Sequence, residues 1–498
     1  MSPRIAWSTA IACAAAVAAA CAAWIRENPL PSYFDEALYA IQTNIDVWAA
    51  RTHGLGGVRT AMLHVDTFRP PAMRLLALPF TLLASPSVTV LRAISLAGFF
   101  AAAAIAAIAV QRTAGAIAGA VALTFTMALP ILVLAARMFG TEYPLLLAIA
   151  LLLLGLTSKR ATAYIAAAVA LGLLAKLSFA VAALPMLAAA AIVMPERRRA
   201  IAIGAPIGVA VSLLWWANDP MTAIRFGVQS GSFVRHSLGR NVARYLYELL
   251  RCDFGFAVAA AIAVAFVLGA RRGRFPPLAT VCIAGAVPIV LMHALSVNNN
   301  PRLVAVPALL VAIAAALLVP LLANWQQALI LALGALQVVV MTVPRPRHAD
   351  SYIWRGVTEV MAPVEQWNWQ PLRRFAFARG WPAPRIEILG EGYAFNPAQI
   401  SDSWPELLGM LRVHQLYEWS FGKPFDLQRA IERAATAQII VTAPGYQGDA
   451  RDGQPPNNRY NAMFAAALTR DPRFEGPYAL DVGVRQPAIV QVFVRRAR

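Results

Sequence analysis

The sequence of 498 residues contains little charge. Only 14% of its residues are Asp, Glu, Lys or Arg, whereas 59% are hydrophobic and the mean hydropathy is +0.59. Soluble domains contain roughly 45–50% apolar residues. This composition therefore excludes a purely soluble or a disordered protein.

Cysteine is also rare. Zinc sites and disulfide frameworks need cysteines in close or regular spacing, and no CxxC pair occurs here, so neither kind of site is indicated. The cysteines, all in or beside apolar stretches, are Cys13, Cys21, Cys252 and Cys282.

Residues after Pro344 contain no GxGxxG, Walker A, HExxH or GxSxG motif, which leaves them without a recognisable catalytic signature.

Long apolar runs fill the first 343 residues. A helix needs about 20 apolar residues to cross the hydrocarbon core of a bilayer, and eleven stretches approach that length. The sequence therefore predicts a polytopic α-helical membrane domain, residues 1–343, with about 11 transmembrane helices. The predicted spans are residues 5–25, 91–110, 115–136, 143–157, 161–175, 177–194, 200–217, 254–270, 278–296, 303–322 and 327–343.

Basic residues predict how these spans are oriented. Of the 43 Lys and Arg residues, 24 precede Pro344, and several cluster in every second short loop. The positive-inside rule places those loops and the N-terminus in the cytoplasm, and an odd number of spans then places the C-terminal residues outside. Lysine is nearly absent, which indicates a GC-rich bacterial genome. Together with the predicted spans, this predicts a multi-pass protein of the bacterial inner membrane. The clusters are Arg112, Lys159–Arg160, Arg197–Arg199 and Arg271, Arg272 and Arg274.

The first outward loop, residues 26–90, contains two predicted surface helices. Asp35 and Glu36 are followed by apolar residues at helical spacing, which is typical of an amphipathic helix that lies on the membrane. The segment Arg69–Pro86 is apolar but is interrupted by four prolines and two arginines. We interpret it as an interfacial helix, because counting it as a span would invert every later loop.

The composition changes at Pro344. Residues 344–498 alternate β-rich runs with helix-like stretches, which predicts a C-terminal soluble α/β domain in the periplasm. We expect this domain to be structural or to help dock the acceptor. Its predicted strands are Arg385–Gly390, Gln438–Ala443 and Ala488–Val494, and its predicted helices are Trp404–Val413 and Leu427–Ala435.

Several motifs before residue 310 resemble those of a known family, in the same order. The resemblance is to polyprenyl-phosphate-sugar-dependent glycosyltransferases, which include the protein O-mannosyltransferases and the lipid A aminoarabinose transferases and share the C-type glycosyltransferase fold. This chain has Arg-Pro-Pro where the family usually has His-Pro-Pro, so donor headgroup or acceptor recognition can differ. The matching motifs are Asp35-Glu36, Arg69-Pro70-Pro71, Leu91-Arg92-Ala93-Ile94-Ser95, Pro130 to Arg137, Gly140-Thr141-Glu142, Gly172 to Lys176 and Pro301-Arg302 near Pro307.

The resemblance implies an integral membrane glycosyltransferase. It would move a monosaccharide from a polyprenyl-phosphate carrier to a lipid, glycan or protein acceptor on the outer face of the inner membrane. An acceptor hydroxyl must lose its proton during attack, and a carboxylate suits that task. The resemblance assigns this role to Asp35, and direct displacement would invert the anomeric configuration. Glu36 would orient its neighbour, and Glu142 would hold Arg or sugar hydroxyls.

Cations should bind the donor phosphate and stabilise the negative charge that develops on the leaving oxygen. No metal is expected to be obligatory, although a divalent cation could join Glu142. No nucleic-acid partner is expected, because the basic residues lie in short breaks between apolar stretches. The residues predicted to bind the donor phosphate or sugar are Lys176, Arg92, Arg137, Arg302, Arg69 and Tyr33.

Two alternatives stay open at this point. A lipid or glycan transporter or flippase would also be polytopic and basic, but it should show broken spans in corresponding halves, and no such repeat is detected. A non-catalytic membrane assembly protein would need neither Asp35 nor Lys176. The outward loop 218–253 mixes aromatic and basic residues, which fits a lipid-phosphate entrance and an ordinary interfacial belt equally well.

Overall fold

The computed structural model resolves the chain as a helical membrane part followed by an α/β part. Its described residues form apolar helices up to residue 342 and a mixed sheet beyond residue 385. The residues that the structure describes are 1–32, 34–64, 69–84, 86–219, 221, 238–249, 254–273, 275–295, 301–343, 360–361, 365–389, 394–402, 404, 413–416, 425–446 and 458–496.

Helices coincide with every one of the eleven predicted spans, and two further helices follow α1 as expected for the first outward loop. In chain order the helices are α1 (Pro3–Glu27), α2 (Phe34–His64), α3 (Ala72–Leu83), α4 (Val88–Ala114), α5 (Ala116–Ala128), α6 (Pro130–Ala136), α7 (Glu142–Thr157), α8 (Ala161–Ala175), α9 (Phe179–Val193), α10 (Arg198–Trp216), α11 (Leu238–Glu248), α12 (Phe256–Ala270), α13 (Pro277–Leu295), α14 (Ala305–Leu318) and α15 (Asn324–Thr342).

The chain is a multi-pass α-helical membrane protein. In its described residues, five helices are long and apolar enough to cross a membrane, or up to six if α5 and α6 form one bent span. Other apolar helices, such as α7, α8 and α9, have only 15 or 16 residues. Eleven crossings therefore stay a prediction.

The predicted span 115–136 is bent in the structure. It consists of α5 and α6, which meet at Leu129 with a bend of 71°. Pro130 causes the break, because proline lacks the N–H that would continue the hydrogen-bond ladder and its ring clashes with the preceding turn. After α6, Arg137 lies beside Trp24 of α1 and Phe139 N donates a hydrogen bond to Glu36 of α2.

The core of the membrane part forms around α5, α7 and α14. All eleven residues from Ala118 to Ala128 are buried, as are 13 of the 14 residues of α14. Alanine is the commonest buried residue of α5 and α14, where small side chains let helix backbones approach closely, whereas leucine is the commonest in α7. The tight bundle provides a rigid base for the helix ends that carry the candidate site.

The C-terminal part is an α/β domain with a five-stranded sheet in the order β2-β1-β3-β5-β4. The pairs β1–β2 and β1–β3 are parallel, whereas β3–β5 and β4–β5 are antiparallel. The strands are β1 (Ile386–Leu389), β2 (Val413–Gln415), β3 (Ile439–Thr442), β4 (Phe474–Asp481) and β5 (Ile489–Arg495), and the helices are α16 (Gln370–Phe377), α17 (Pro397–Asp402), α18 (Leu427–Ala434) and α19 (Asn458–Arg470).

The three predicted strands are confirmed as β1, β3 and β5, and the second predicted helix as α18. The first predicted helix is wrong at its end, since Val413 begins β2. Its middle, residues 405–412, lies outside the described residues. Strand β4 was not predicted, because it is an edge strand with mostly exposed side chains and contains Pro477, which cannot donate to a ladder.

The two parts of the chain contact each other at the beginning of α2. Ala398 of α17 packs with Ala37 and Ile41 of α2 in one small apolar cluster. The C-terminal domain therefore lies directly beside the helix that carries the acidic pair.

Candidate functional site

The first turns of α2 present two different faces. Successive residues of a helix are rotated by about 100° around its axis. Asp35 and Tyr39 therefore share one face, whereas Glu36 lies about 100° away from Asp35. Both carboxylates lie in the first turn, where the positive end of the helix dipole favours negative charge. The two neighbouring acids consequently face different surroundings.

Asp35 lies among cations that come from distant parts of the sequence. Its Oδ2 atom is 2.5 Å from Nη2 of Arg302, which belongs to the short 3-10 turn before α14. Its Oδ1 atom is 3.8 Å from Nη2 of Arg69, just before α3. The carboxylate keeps 27% of its side chain exposed, so a second molecule can still reach it.

These cations determine the charge state of Asp35. Burial raises the pKa of the carboxyl, but the nearby Arg302, Arg69 and Lys176 charges outweigh burial, so the pKa lies below its ordinary value of 3.8. Asp35 is therefore ionised at neutral pH and can accept a hydrogen bond or a proton.

Glu142 and Lys176 form the second ion pair of the site. Glu142 is the first residue of α7 and is buried, and its Oε1 atom is 3.7 Å from Nζ of Lys176. Burial lowers the pKa of Lys176 and the nearby Arg302 charge adds to this, while Glu142 and Asp35 act in the opposite sense. The charges of Asp35 and Arg302 thus also affect the pKa of Lys176.

A close helix approach creates the turn that presents Lys176. Lys176 N donates to Gly172 O at 2.9 Å, and Phe179 N donates to Lys176 O at 3.0 Å. A Cβ atom at Gly172 would lie 2.4 Å from the ring of Phe179, so only glycine lets α9 fold back this closely on α8. The short turn leaves Lys176 at the helix ends beside Glu142.

Glu36 is fully buried and is satisfied by the protein. It receives hydrogen bonds from Ser32 N at 2.7 Å and from Phe139 N at 2.9 Å. Arg92 binds both of its oxygens, with Nε at 2.8 Å and Nη2 at 2.6 Å. Arg92 also donates to the carbonyl oxygens of Asn28 and Leu30. This geometry favours a positioning role for Glu36 and Arg92.

Arg137 is buried beside Trp24 at the end of α1. Its guanidinium carbon lies 3.9 Å from the centre of the indole ring, and that of Arg92 lies 4.9 Å from the same ring. Trp24 thus binds two guanidinium groups by cation–π contact. Arg137 Nη1 is also 3.9 Å from Sδ of Met361. Binding of the donor by Arg92 or Arg137 stays a prediction.

Two site residues were missed by the sequence analysis. Tyr39 lies one turn after Asp35, its buried ring is 5.9 Å from the guanidinium carbon of Arg69, and burial together with Asp35 raises the pKa of its hydroxyl. Trp24 looks like an ordinary apolar residue of α1. The i, i+4 spacing of Asp35 and Tyr39 is the signal that could have found the tyrosine. Tyr33 lies outside the described residues, as do 222–237 of the aromatic loop.

The site combines carboxylates and cations from distant parts of the sequence. Among the described residues, Asp35 and Glu142 lie beside Arg69, Lys176 and Arg302. An anion such as a phosphodiester would pair with these cations. Three donors on separate elements can contact several phosphate oxygens at once.

No cluster suited to a metal ion is found in the part of the chain that the structure describes. Groups of three or more His, Cys, Asp or Glu side chains with that arrangement do not occur there. Asp35 and Glu142 are each bound to a cationic side chain. That no metal is obligatory for the reaction stays a prediction.

Comparisons with known proteins concern the fold. No family model matches this chain, and no curated protein matches its sequence. The crystal structure of ArnT from Cupriavidus metallidurans in the apo state aligns with a TM-score of 0.61 at 12% identity, over 96% of this chain and 97% of that chain. The structure of ArnT from the same organism bound to undecaprenyl phosphate aligns with a TM-score of 0.62 at 12% identity, over 97% of both chains. ArnT is a lipid A aminoarabinose transferase with the C-type glycosyltransferase fold, so this expectation for the fold is confirmed.

Proposed function

We propose that this protein is an integral membrane glycosyltransferase that moves one monosaccharide from a polyprenyl-phosphate carrier to an acceptor hydroxyl. The observation that carries the proposal is the partly exposed carboxylate of Asp35. Its Oδ2 atom is 2.5 Å from Nη2 of Arg302, and Arg69 and Lys176 are nearby. The similarity in fold to ArnT, which has been solved with undecaprenyl phosphate, supports the choice of carrier.

The three cations would bind the donor phosphate. A sugar 1-phosphodiester carries one negative charge, which suits contact with the cationic groups of Arg69, Lys176 and Arg302. When the bond between the anomeric carbon and the phosphate oxygen breaks, a second negative charge develops on the leaving phosphate. Preorganised cations stabilise that charge without any reorganisation, so no general acid is needed.

Asp35 would act as the base. The acceptor oxygen forms a bond to the anomeric carbon, its proton passes to the Asp35 carboxylate, and the bonding pair of the old C–O bond leaves with the phosphate. Attack occurs on the face opposite the phosphate, so the anomeric configuration inverts and no sugar is attached to the protein. The low pKa of Asp35 keeps it ionised before each turnover.

The other site residues would support these two groups. Glu142 would orient Lys176, whose Nζ atom is 3.7 Å from its Oε1 atom, and would accept hydrogen bonds from sugar hydroxyls. Tyr39 would line the donor site between Asp35 and Arg69. Glu36 and Arg92 would hold the beginning of α2 in place. We place the acceptor, which is a lipid, glycan or protein, on the outer face of the inner membrane.

Transfer in proteoliposomes tests this proposal. The purified full chain is reconstituted and supplied with radiolabelled polyprenyl-phosphate sugars, including neutral, amino and acidic sugars, together with candidate acceptors. We expect one donor class to be consumed, with a glycoside of inverted configuration in the product by NMR. Asp426→Asn, which lies in the exposed N-cap of α18, serves as the control and should transfer normally. Donors that bind but are never consumed would contradict the proposal and favour a transporter.

A further inference from the structure

The segment between α1 and α2 has carbonyl groups that accept hydrogen bonds from distant parts of the chain. This connector, residues 28–32, contains Pro29 and Pro31, which lack N–H groups and cannot form a helical turn. Asn28 and Ser32 within it are completely buried. Because buried carbonyl groups need hydrogen-bond donors, the connector depends on donors from other parts of the chain.

The C-terminal domain supplies such donors from three separate segments. Gln366 Nε2 donates to Leu30 O at 2.9 Å, and Gln399 Nε2 donates to Pro31 O at 3.0 Å. Arg485 Nη2 donates to Glu27 O, the last residue of α1, at 2.7 Å and to Asn28 Oδ1 at 3.2 Å. Residues far apart in the sequence therefore converge on one short stretch of backbone.

The membrane part holds the same stretch from the other side. Arg92 Nη2 donates to Leu30 O at 3.0 Å, so this carbonyl oxygen accepts hydrogen bonds both from α4 and from Gln366 of the C-terminal domain. The connector is thus held between the two parts of the protein, three residues before Asp35.

The helix that follows is also held from two sides. On a helical wheel, Ala37 and Ile41 lie about 200° from Asp35 and Tyr39. Ala398 of α17 packs on Ala37 and Ile41, while Arg302 and Arg69 contact Asp35 on the opposite face. Movement of the C-terminal domain would therefore move the carboxylate relative to its cations.

We infer that the C-terminal domain positions the Asp35 carboxylate for the reaction, with Gln366, Gln399 and Arg485 as positioning residues. The inference rests on the proposed function of Asp35. Lys176 and Arg302 lie on other elements, so the donor phosphate contacts do not depend on the connector. Loosening the connector should lower kcat and leave the KM for the donor nearly unchanged.

Hydrogen exchange tests the mechanical part of this inference without any transfer assay. The double variant Gln366→Met and Gln399→Met removes both amide donors while keeping the side-chain length. Amides of residues 34–41 should exchange about tenfold faster, since each hydrogen bond of this kind shifts a local equilibrium by roughly two- to tenfold. Gln428→Met, on the exposed face of α18, is the matched control and should exchange like the wild type. Unchanged exchange in the double variant would overturn the inference.

Kinetics test the catalytic part. The double variant should lose about tenfold or more in kcat with the donor KM within twofold, because a displacement of about 1 Å at a reacting group can cost up to about 10²-fold. Arg485→Met should lower kcat in the same way, and Arg485→Lys, which keeps a cationic donor, should restore most of it. An equal rise in KM, or no rescue by Arg485→Lys, would overturn the positioning role.

The two proposals can fail separately. If the wild type transfers no sugar although the double variant exchanges faster, the proposed function fails and the structural coupling stands. If the wild type transfers sugar and the double variant keeps its kcat and its exchange rates, the positioning inference fails and the proposed function stands.

Discussion

Adjacent carboxylates of one helix differ sharply in their surroundings. Asp35 is partly exposed and contacts Arg302 and Arg69, whereas Glu36 is completely buried and receives four hydrogen bonds from Ser32, Phe139 and Arg92. The 100° rotation between neighbouring helix residues explains the difference. A carboxylate whose acceptor positions are filled cannot take a proton from a substrate, so Asp35 is the better base.

Removing Arg302 should move the pH dependence of transfer. Arg302 is the strongest cationic influence that lowers the pKa of Asp35, while burial raises it. In Arg302→Gln the pKa of Asp35 should rise, because a nearby positive charge that favours the ionised carboxylate is removed. Since only ionised Asp35 can accept the proton, the acid limb of kcat/KM should shift to higher pH.

The shape of the pH profile separates this effect from loss of donor binding. Arg59→Gln, on an exposed position of α2, is the matched control and should keep the wild-type profile. An Arg302→Gln enzyme with a lower plateau but an unshifted acid limb would contradict the coupling between Arg302 and Asp35.

At the residue scale the sequence analysis identified residues of the candidate site but not their contacts. Asp35, Glu142, Lys176, Arg302 and Arg69 were all identified, and the structure brings them together. Their pairing could not be predicted, because Arg302 and Asp35 are 267 residues apart. Tyr39 and Trp24 were missed for a different reason, since aromatic residues at helical spacing look like ordinary core positions.

At the element scale, the turn between α8 and α9 decides where Lys176 lies. Gly172→Ala places a Cβ atom 2.4 Å from the ring of Phe179 and must push the two helices apart. Because a shift of about 1 Å can cost up to about 10²-fold, we expect transfer to fall by about tenfold or more. Proteoliposome kinetics with a fixed donor measure the effect.

A smaller side chain at position 179 should relieve the same clash. Phe179→Leu in the Gly172→Ala background should recover part of the lost activity. Gly239→Ala in α11 has open space around its new Cβ atom and should behave like the wild type. A Gly172→Ala protein with full activity would show that the position of Lys176 does not depend on this close contact.

Periodicity predicted the elements where a buried face dominates the pattern. The runs around β1, β3 and β5 are strongly apolar and were identified, whereas the exposed edge strand β4 was not. The break between α5 and α6 was missed because the whole stretch is apolar, although Pro130 marks the point. A hydropathy pattern does not reveal the direction of a helix.

At the scale of the whole molecule, a carboxyl group lies where the C-terminal domain meets the membrane part. Asp402 is the last residue of α17, and burial raises its pKa from 3.8 to about 7, with Glu36 adding to the rise and Arg92 opposing it. The folded protein therefore favours the neutral form of Asp402 near the Glu36–Arg92 pair.

Stability should consequently fall as Asp402 loses its proton. Because its pKa is raised in the folded state, Asp402 does not lower the free energy of unfolding below about pH 4. It lowers this free energy progressively up to about pH 7 and by the full amount at higher pH. Asp402→Asn should have a higher Tm than the wild type at pH 8 and the same Tm near pH 4. Glu432→Gln, on exposed α18, is the control. Equal Tm values for Asp402→Asn and the wild type at pH 8 would contradict the assignment.

The central claim is that Asp35 takes the proton while the cations hold the donor phosphate. The most direct measurement compares kcat for transfer with the Kd for undecaprenyl phosphate in Asp35→Asn and Lys176→Met. We expect Asp35→Asn to lose about 10²- to 10⁴-fold in kcat, as is usual for a general base, and to bind undecaprenyl phosphate at least as tightly as the wild type. Lys176→Met should instead weaken binding. An Asp35→Asn protein that keeps its kcat, or that loses affinity as Lys176→Met does, would contradict the account.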